Sequence, residues 1–357
     1  MRSWLIAAAA LALAAGGAAA SPVDWSYTGV AENDVFDYAP NHTDRYYTHG
    51  SQLGGVSPEL SADYVPPWII RAGCFLESAS SACRKGRDND VNTVKFRWGL
   101  EAGQNIYTPA DKTKDVDAKD RPYAGWAYAG VSIGSYSRVE INTLELQLGV
   151  VGPSSGSAWV QDHFHDIIHA ARFEGWDHQL GDEVAFAIFG ERRWRPHRLS
   201  PGEQGNLEGF AIDYADHLDF TVGTVQDSIN IGRALRAGIG LGSDFGPPRI
   251  RPAPSGSAFI KPESQWSAYV FAGLDGRAVA RDIFLDGNTL RNSPSVDKRW
   301  LVWEATSGAV LRWCGLRLGY TYVWQSEEFL GQRGPQKFGS WSVTLLPSGF
   351  GKACPTN

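Results

Sequence analysis

Along most of the chain, apolar residues alternate with polar residues or glycine. Val94, Phe96, Trp98 and Leu100 interleave with Lys95, Arg97, Gly99 and Glu101. The same rhythm runs through Leu144, Leu146, Leu148 and Val150, and through Leu235, Ala237, Ile239 and Leu241. It returns in Leu316, Leu318, Tyr320, Tyr322 and Trp324, and in Trp341, Val343 and Leu345. A period of two gives each segment one apolar and one polar face, which is the pattern of a β-strand. It predicts about twelve strands, near 25–36, 46–56, 92–106, 123–136, 138–151, 182–195, 207–224, 229–242, 265–285, 297–309, 311–325 and 338–346. Residues 157–171 break this rhythm. Val160, Phe164, Ile167, Ile168 and Ala171 fall at helical spacing, and Gln161, His165 and His169 follow one another on a second stripe.

In a soluble sandwich the apolar faces meet another sheet; in a membrane barrel they meet lipid. An even strand number suits closure, and Tyr320, Tyr322 and Trp324 at one strand end suit an aromatic girdle. The expected fold is all-β: an antiparallel transmembrane β-barrel of about 12 strands with a short helix in an extracellular loop. No apolar run long enough for a membrane helix follows the N-terminus. Arg2, the apolar run 4–15 and Ala18-Ala19-Ala20 before Ser21 read as a secretory signal peptide over 1–20. Residues 21–357 then form one barrel domain.

Composition sharpens this picture. Gly 40, Trp 14 and Tyr 13 against Met 1 favour strands and turns over helices. A net charge of -6 argues against a nucleic-acid partner, which needs clustered Lys and Arg. Cys74 and Cys83 share one loop-like segment and can pair in an oxidising compartment, whereas the pairing of Cys314 with Cys354 stays open.

Three clusters carry candidate chemistry. His163, His165, His169 and His178 gather around the helix, where an imidazole can act as a general base or stand as part of a solvated face. His165-Asp166-Ile167-Ile168-His169 imitates a zinc protease helix, although that motif needs Glu after the first His. Glu32-Asn33-Asp34 lies in the first strand. Alternation sends Asn33 and Asp34 to opposite faces unless a bulge intervenes, and an acid there belongs in the lumen or at the membrane edge. Asp34 is also a hard-cation ligand candidate. Thr43-Asp44-Arg45-Tyr46-Tyr47-Thr48-His49-Gly50 opens the second strand, so hairpin pairing brings Thr48 near Asn33 and Asp34. No GxSxG nucleophile elbow is present.

These motifs resemble those of the outer-membrane lipid A 3'-O-deacylases. The resemblance continues through Ile106-Tyr107-Thr108-Pro109, Asp120-Arg121-Pro122-Tyr123-Ala124-Gly125-Trp126 and Leu148-Gly149-Val150-Val151-Gly152-Pro153. It ends with Gln161, His165 and Gly175-Trp176-Asp177-His178-Gln179-Leu180. Order and spacing match over about 25–185, and beyond that only the strand rhythm agrees. The resemblance implies a monomeric outer-membrane hydrolase that removes a 3'-linked acyloxyacyl group from the lipid A of lipopolysaccharide. Its site would lie between the outer barrel wall and the loop helix and would depend on Ca²⁺. Carried over by position, His165 is the base and Gln161 its partner. Asp34 with Asn33, and Thr48, are the essential residues of the first two strands, and Asp34 and Thr48 are the metal ligands. Lys114 matches a basic residue near the substrate phosphate. Two departures stand out. Some members carry an acid six residues after the histidine, where this chain has Ala171, and the chain runs past Leu346 to Cys354 and Asn357 rather than ending on an aromatic residue. The alternatives are an outer-membrane phospholipase acting on glycerophospholipids and a non-enzymatic barrel.

Overall fold

The computed structural model describes residues 25–37, 45–60, 95–113, 117–136, 140–195, 209–243, 245–246, 249–250, 265–347 and 354. The signal-peptide segment, Cys74, Cys83 and Lys114 lie outside the described residues.

Twelve described strands close into one antiparallel barrel. They are β1 (Ser26–Asn33), β2 (Tyr46–Val56), β3 (Lys95–Thr108), β4 (Ala124–Tyr136), β5 (Glu140–Val151) and β6 (Glu183–Trp194). The circuit continues with β7 (Phe210–Gly223), β8 (Gln226–Ile239), β9 (Trp266–Asp282), β10 (Leu301–Trp313), β11 (Leu316–Gln325) and β12 (Gln336–Leu345). Each strand pairs with its sequence neighbours, and β12 closes on β1 through pairs such as Val30 with Ser342. The helix α1 spans Ser157–Ile168 in the β5–β6 connection, and one turn, α2 (Ile283–Asp286), follows β9.

Burial decides between barrel and sandwich. Leu53, Val131, Leu148, Val184, Ile229, Ile231, Val270 and Leu274 are exposed, while their strand neighbours Gln52, Gln147, Glu183, Asn230 and Tyr269 are buried. Apolar residues out and mostly polar residues in is the arrangement of a sheet solvated by lipid. Aromatic residues mark both rims. Trp266 and Trp313 lie side by side near the terminal end, tilted, with centroids 6.1 Å apart. Trp303, Tyr322 and Trp324 lie at the loop end of their strands, Trp303 and Trp324 exposed.

The lumen is filled. Many of its charges come in pairs, and removing one partner of a buried pair costs about 3–5 kcal/mol. Arg236 meets Asp213 at 2.5 Å, and Glu328 receives both Arg121 (3.1 Å) and Arg277 (3.3 Å). From the terminal end, the segment after β8 turns inward, and Phe245, Gly246, Arg249 and Ile250 are buried. Arg317 Nη2 donates to Gly246 O (2.6 Å), Arg249 pairs with Glu304, and Ile250 N donates to Glu32 Oε1 (3.2 Å). At the loop end Phe284 of α2 stacks on Tyr107, centroids 4.2 Å apart. Between Ile250 and Phe284 only a small cavity is left.

One expectation shifts: the turn between β10 and β11 lies at Cys314-Gly315, not near residue 310, because Cys314 adopts φ 50° and Trp313 pairs directly with Leu316. Cys314 is disulfide-bonded to Cys354, which ties the tail beyond β12 to this turn. A loop with a sequence separation of 40 is worth up to about 4 kcal/mol when cross-linked. Cys354→Ser should therefore lower the thermal unfolding midpoint. An unchanged midpoint would show that the tail adds nothing to the barrel.

Candidate active site at the outer wall

Alternation fixes which side of the wall each residue takes. Tyr107 stacks on Phe284 in the lumen, so Ile106 points outward. There it packs with Tyr123, Phe173 and Trp176, against Ala158 and Val160 of α1. The helix therefore lies on the outside of the barrel. Its N-terminus reaches the wall at Gly125, the outward-facing partner of Ile106, where a Cβ would overlap the side chains of Ser155 and Ser157. Gln104 Nε2 adds a bond to Ser155 O at 2.7 Å. Glycine at 125 is needed for close approach, not for its dihedral freedom.

Under this helix lie the residues that the sequence singles out. His165 and Gln161, one turn apart on α1, are 3% and 4% exposed. His165 Nδ1 lies 2.6 Å from Ala171 O. A carbonyl only accepts, so Nδ1 carries the hydrogen, and Nε2 is the nitrogen that can take a proton. Gln161 Oε1 is buried with no hydrogen-bond partner among the described residues. Buried polar atoms are rarely left unpaired, so this oxygen is set for a group that the described residues do not supply.

β1 ends at Asn33, one turn earlier than predicted, and Asp34 opens a 3₁₀ turn through Phe36. Asn33 caps that turn, its Oδ1 accepting from Val35 N at 2.8 Å. Asp34 thus sits at the barrel rim, buried to 3% exposure, and its Oδ2 accepts from Arg45 N at 3.0 Å. Asn33 faces His49 across the hairpin, and Asn33 Nδ2 donates to His49 Nδ1 (3.4 Å). The β2–β3 register shifts between Tyr47 and His49, which makes Thr48 the extra residue of a bulge. Thr48 Oγ1 donates to Ile106 O at 3.4 Å, the residue on which α1 packs. The ring of His49 lies 5.9 Å from that of Phe164, next to His165. The two strand ends and the helix are thereby joined in one buried cluster, on the lipid side of the wall.

His169 leaves the cluster. The helix stops at Ile168, and His169 caps it at φ 56°, exposed. The two histidines of the zinc-like motif are not presented together, and no group of three or more His, Cys, Asp and Glu side chains able to hold a metal occurs among the described residues. The oxygen donors here, the Asp34 carboxylate at the rim, the Thr48 hydroxyl in the bulge and the Gln161 amide on the helix, are of the hard type that suits a cation such as Ca²⁺. Ala171 supplies a carbonyl to His165 where some members of the resembled family carry an acid.

Sequence reasoning assigned no role to His49, Gly125 or the Ala171 carbonyl. The first two stand inside quoted motifs, and pairing Asn33 with His49 across a hairpin was a legible signal. The third is a backbone atom and leaves no mark in composition.

No curated protein matches the chain in sequence. Among solved structures, LpxR from Salmonella typhimurium superposes with a TM-score of 0.68 at 18% identity, covering 90% of this chain and 99% of that one. The β-domain of the Bordetella autotransporter BrkA matches at a TM-score of 0.38 and 10% identity, over 90% of this chain and 98% of the other. The first likeness agrees with the barrel; the second carries no argument. The profile of the family described as "Outer membrane protein LpxR" matches residues 4–346. With nearly the whole chain matched, and a closed twelve-stranded barrel with lipid-facing walls, this chain belongs to the LpxR family of outer-membrane proteins, the lipid A deacylases.

Proposed function

We propose that this protein hydrolyses the ester of the 3'-linked acyloxyacyl group of lipid A, with His165 as general base. The observation that carries this reading is the placement of His165: buried beneath α1 on the lipid side of the wall, with Nδ1 fixed by Ala171 O at 2.6 Å. A site on this outer face lies beside the leaflet in which such a substrate resides. Water gives a proton to His165 Nε2 as its oxygen bonds to the ester carbonyl carbon. Collapse of the tetrahedral intermediate breaks the bond to the sugar oxygen, which takes the proton back. The products are a free acid and a 3'-hydroxyl. Gln161 orients the water through its unpartnered Oε1. Asn33 and its turn hold Asp34 at the rim, and Asp34 and Thr48 would hold Ca²⁺. When bound, the cation would polarise the ester carbonyl as a Lewis acid.

Chelation tests the metal. With one carboxylate in the donor set, half-activation should need roughly 10⁻⁴ to 10⁻³ M Ca²⁺. Activity of the purified protein should vanish in chelator and return with Ca²⁺. Activity that survives chelation, or returns only with Zn²⁺, would remove Asp34 and Thr48 as ligands of a hard cation.

The pore alternative is weakened by the lumen, where Arg249 and Ile250 fill the middle and Phe284 caps the loop end. The phospholipase alternative uses the same residues. Separate micellar assays on lipid A and on a diacyl glycerophospholipid distinguish the two, and lipid A alone should lose a chain.

A further inference from the structure

We infer that Arg45 and Arg333 form an anion subsite at the mouth of this site, built for a phosphate monoester of the glycolipid; the inference rests on the proposed lipid A reading. Both arginines are held by one buried residue. Tyr46, fully buried, lies with its ring 5.0 Å from the Arg45 guanidinium, and its hydroxyl accepts from Arg333 N at 2.7 Å. Arg45 Nη2 donates to Arg333 O at 2.8 Å, so the two residues are neighbours across the β11–β12 connection. Tyr46 adopts φ 73°, a conformation that costs a non-glycine residue about 1–3 kcal/mol and is kept where the surroundings demand it. The backbone N of Arg45 holds Asp34 Oδ2, which puts this pair one residue from the rim of the site.

Charge gives the pair its meaning. Several arginines elsewhere meet carboxylates, as Arg121 does Glu328, Arg192 Glu140, Arg193 Glu191 and Arg236 Asp213, while Arg281 and Arg291 spend their donors on carbonyl and hydroxyl oxygens. Neither Arg45 nor Arg333 forms an ion pair among the described residues, and Arg45 Nε is buried without a hydrogen-bond partner. Two acids lie near. Asp34 is engaged by the Arg45 backbone, and Asp111 is an exposed loop residue whose carboxyl is held below its usual range by Thr113 and then by Arg333. Neither closes the guanidinium forks. Two forks with unused donors suit a doubly charged group with three oxygens, and arginine is the residue that meets phosphate in this bidentate way. A lipid phosphate and free phosphate share that chemistry; the acyl chains in the membrane distinguish them.

The test is binding, measured with full-length protein in detergent carrying His165→Gln, so that turnover does not intervene. Phosphorylated lipid A, dephosphorylated lipid A and inorganic phosphate are the three ligands. Dephosphorylation should weaken lipid A binding about ten- to a hundredfold, the usual size of a charge-assisted contact. Adding Arg333→Gln, at an exposed position, or Arg45→Gln should make the two lipids bind alike at the weaker level. Inorganic phosphate should compete only at millimolar concentration. Arginine variants that still discriminate the lipids as their parent does, or inorganic phosphate that binds as tightly as the lipid, would overturn the subsite. If wild-type protein binds lipid A in a phosphate-dependent way but cleaves none, the hydrolase reading fails and the subsite stands.

Discussion

Replacing His165 by alanine should remove about 10²- to 10⁴-fold of the hydrolytic rate, the contribution of a positioned general base, and leave the barrel folded. The side chain is buried on α1, outside the sheet, and its loss leaves Ala171 O without its 2.6 Å donor. An unpaired buried carbonyl costs about 1–3 kcal/mol, and here the cost falls on the α1 connection and not on the strand ladder. His165→Gln keeps a donor in place and separates the two effects: it should restore the order of the connection and stay inactive. His169→Ala is the matched control. That residue caps the helix in solvent, so turnover should fall less than twofold, whereas a zinc site would need both imidazoles. Near-normal turnover in a folded His165→Ala protein would end the proposed mechanism.

The second large effect should come from a residue with no functional group. Gly125→Leu places atoms where Ser155 and Ser157 now touch the wall, and α1 cannot dock unchanged. Misplacing a catalytic group by about 1 Å is enough to lose on the order of 10²-fold in rate. Activity should therefore fall at least that far, while the barrel keeps its heat-resistant, compact form on an unheated gel. Gly134→Ala on the same strand is the control, since its Cβ would meet only ordinary contacts, the nearest being Asn142 O at 3.4 Å. Equal activity in the two variants would mean that α1 docking does not position the base.

Much of the fold was legible because lipid imposes a strict alternation. A residue such as Leu148 beside Gln147 announces both its strand and its face. What alternation does not encode is where a strand gives way. Cys314-Gly315 turns inside an almost continuous rhythm, and Asn33 ends β1 because its side chain caps the next turn. The lumen plug was not legible either. Phe245, Arg249 and Ile250 are held by Arg193, Glu304 and Glu32, all distant in sequence, and nothing local marks them as interior. The chemistry followed the same division. His165, Gln161, Asp34, Asn33 and Thr48 are singled out by motif and family resemblance, and Ile106 and Phe164 link the elements that carry them. The partners that orient them are backbone atoms and register neighbours, which only folding reveals: Ala171 O for His165, His49 for Asn33 and Arg45 N for Asp34.

Tandem mass spectrometry of lipid A from outer membranes bearing the wild-type protein or its His165→Ala variant decides whether this barrel removes one ester-linked chain from lipid A. The expected result is loss of a single acyloxyacyl group from the 3' position with the wild type, and intact lipid A with the variant. Intact lipid A in both, together with lysophospholipid released by the wild type alone, would contradict it.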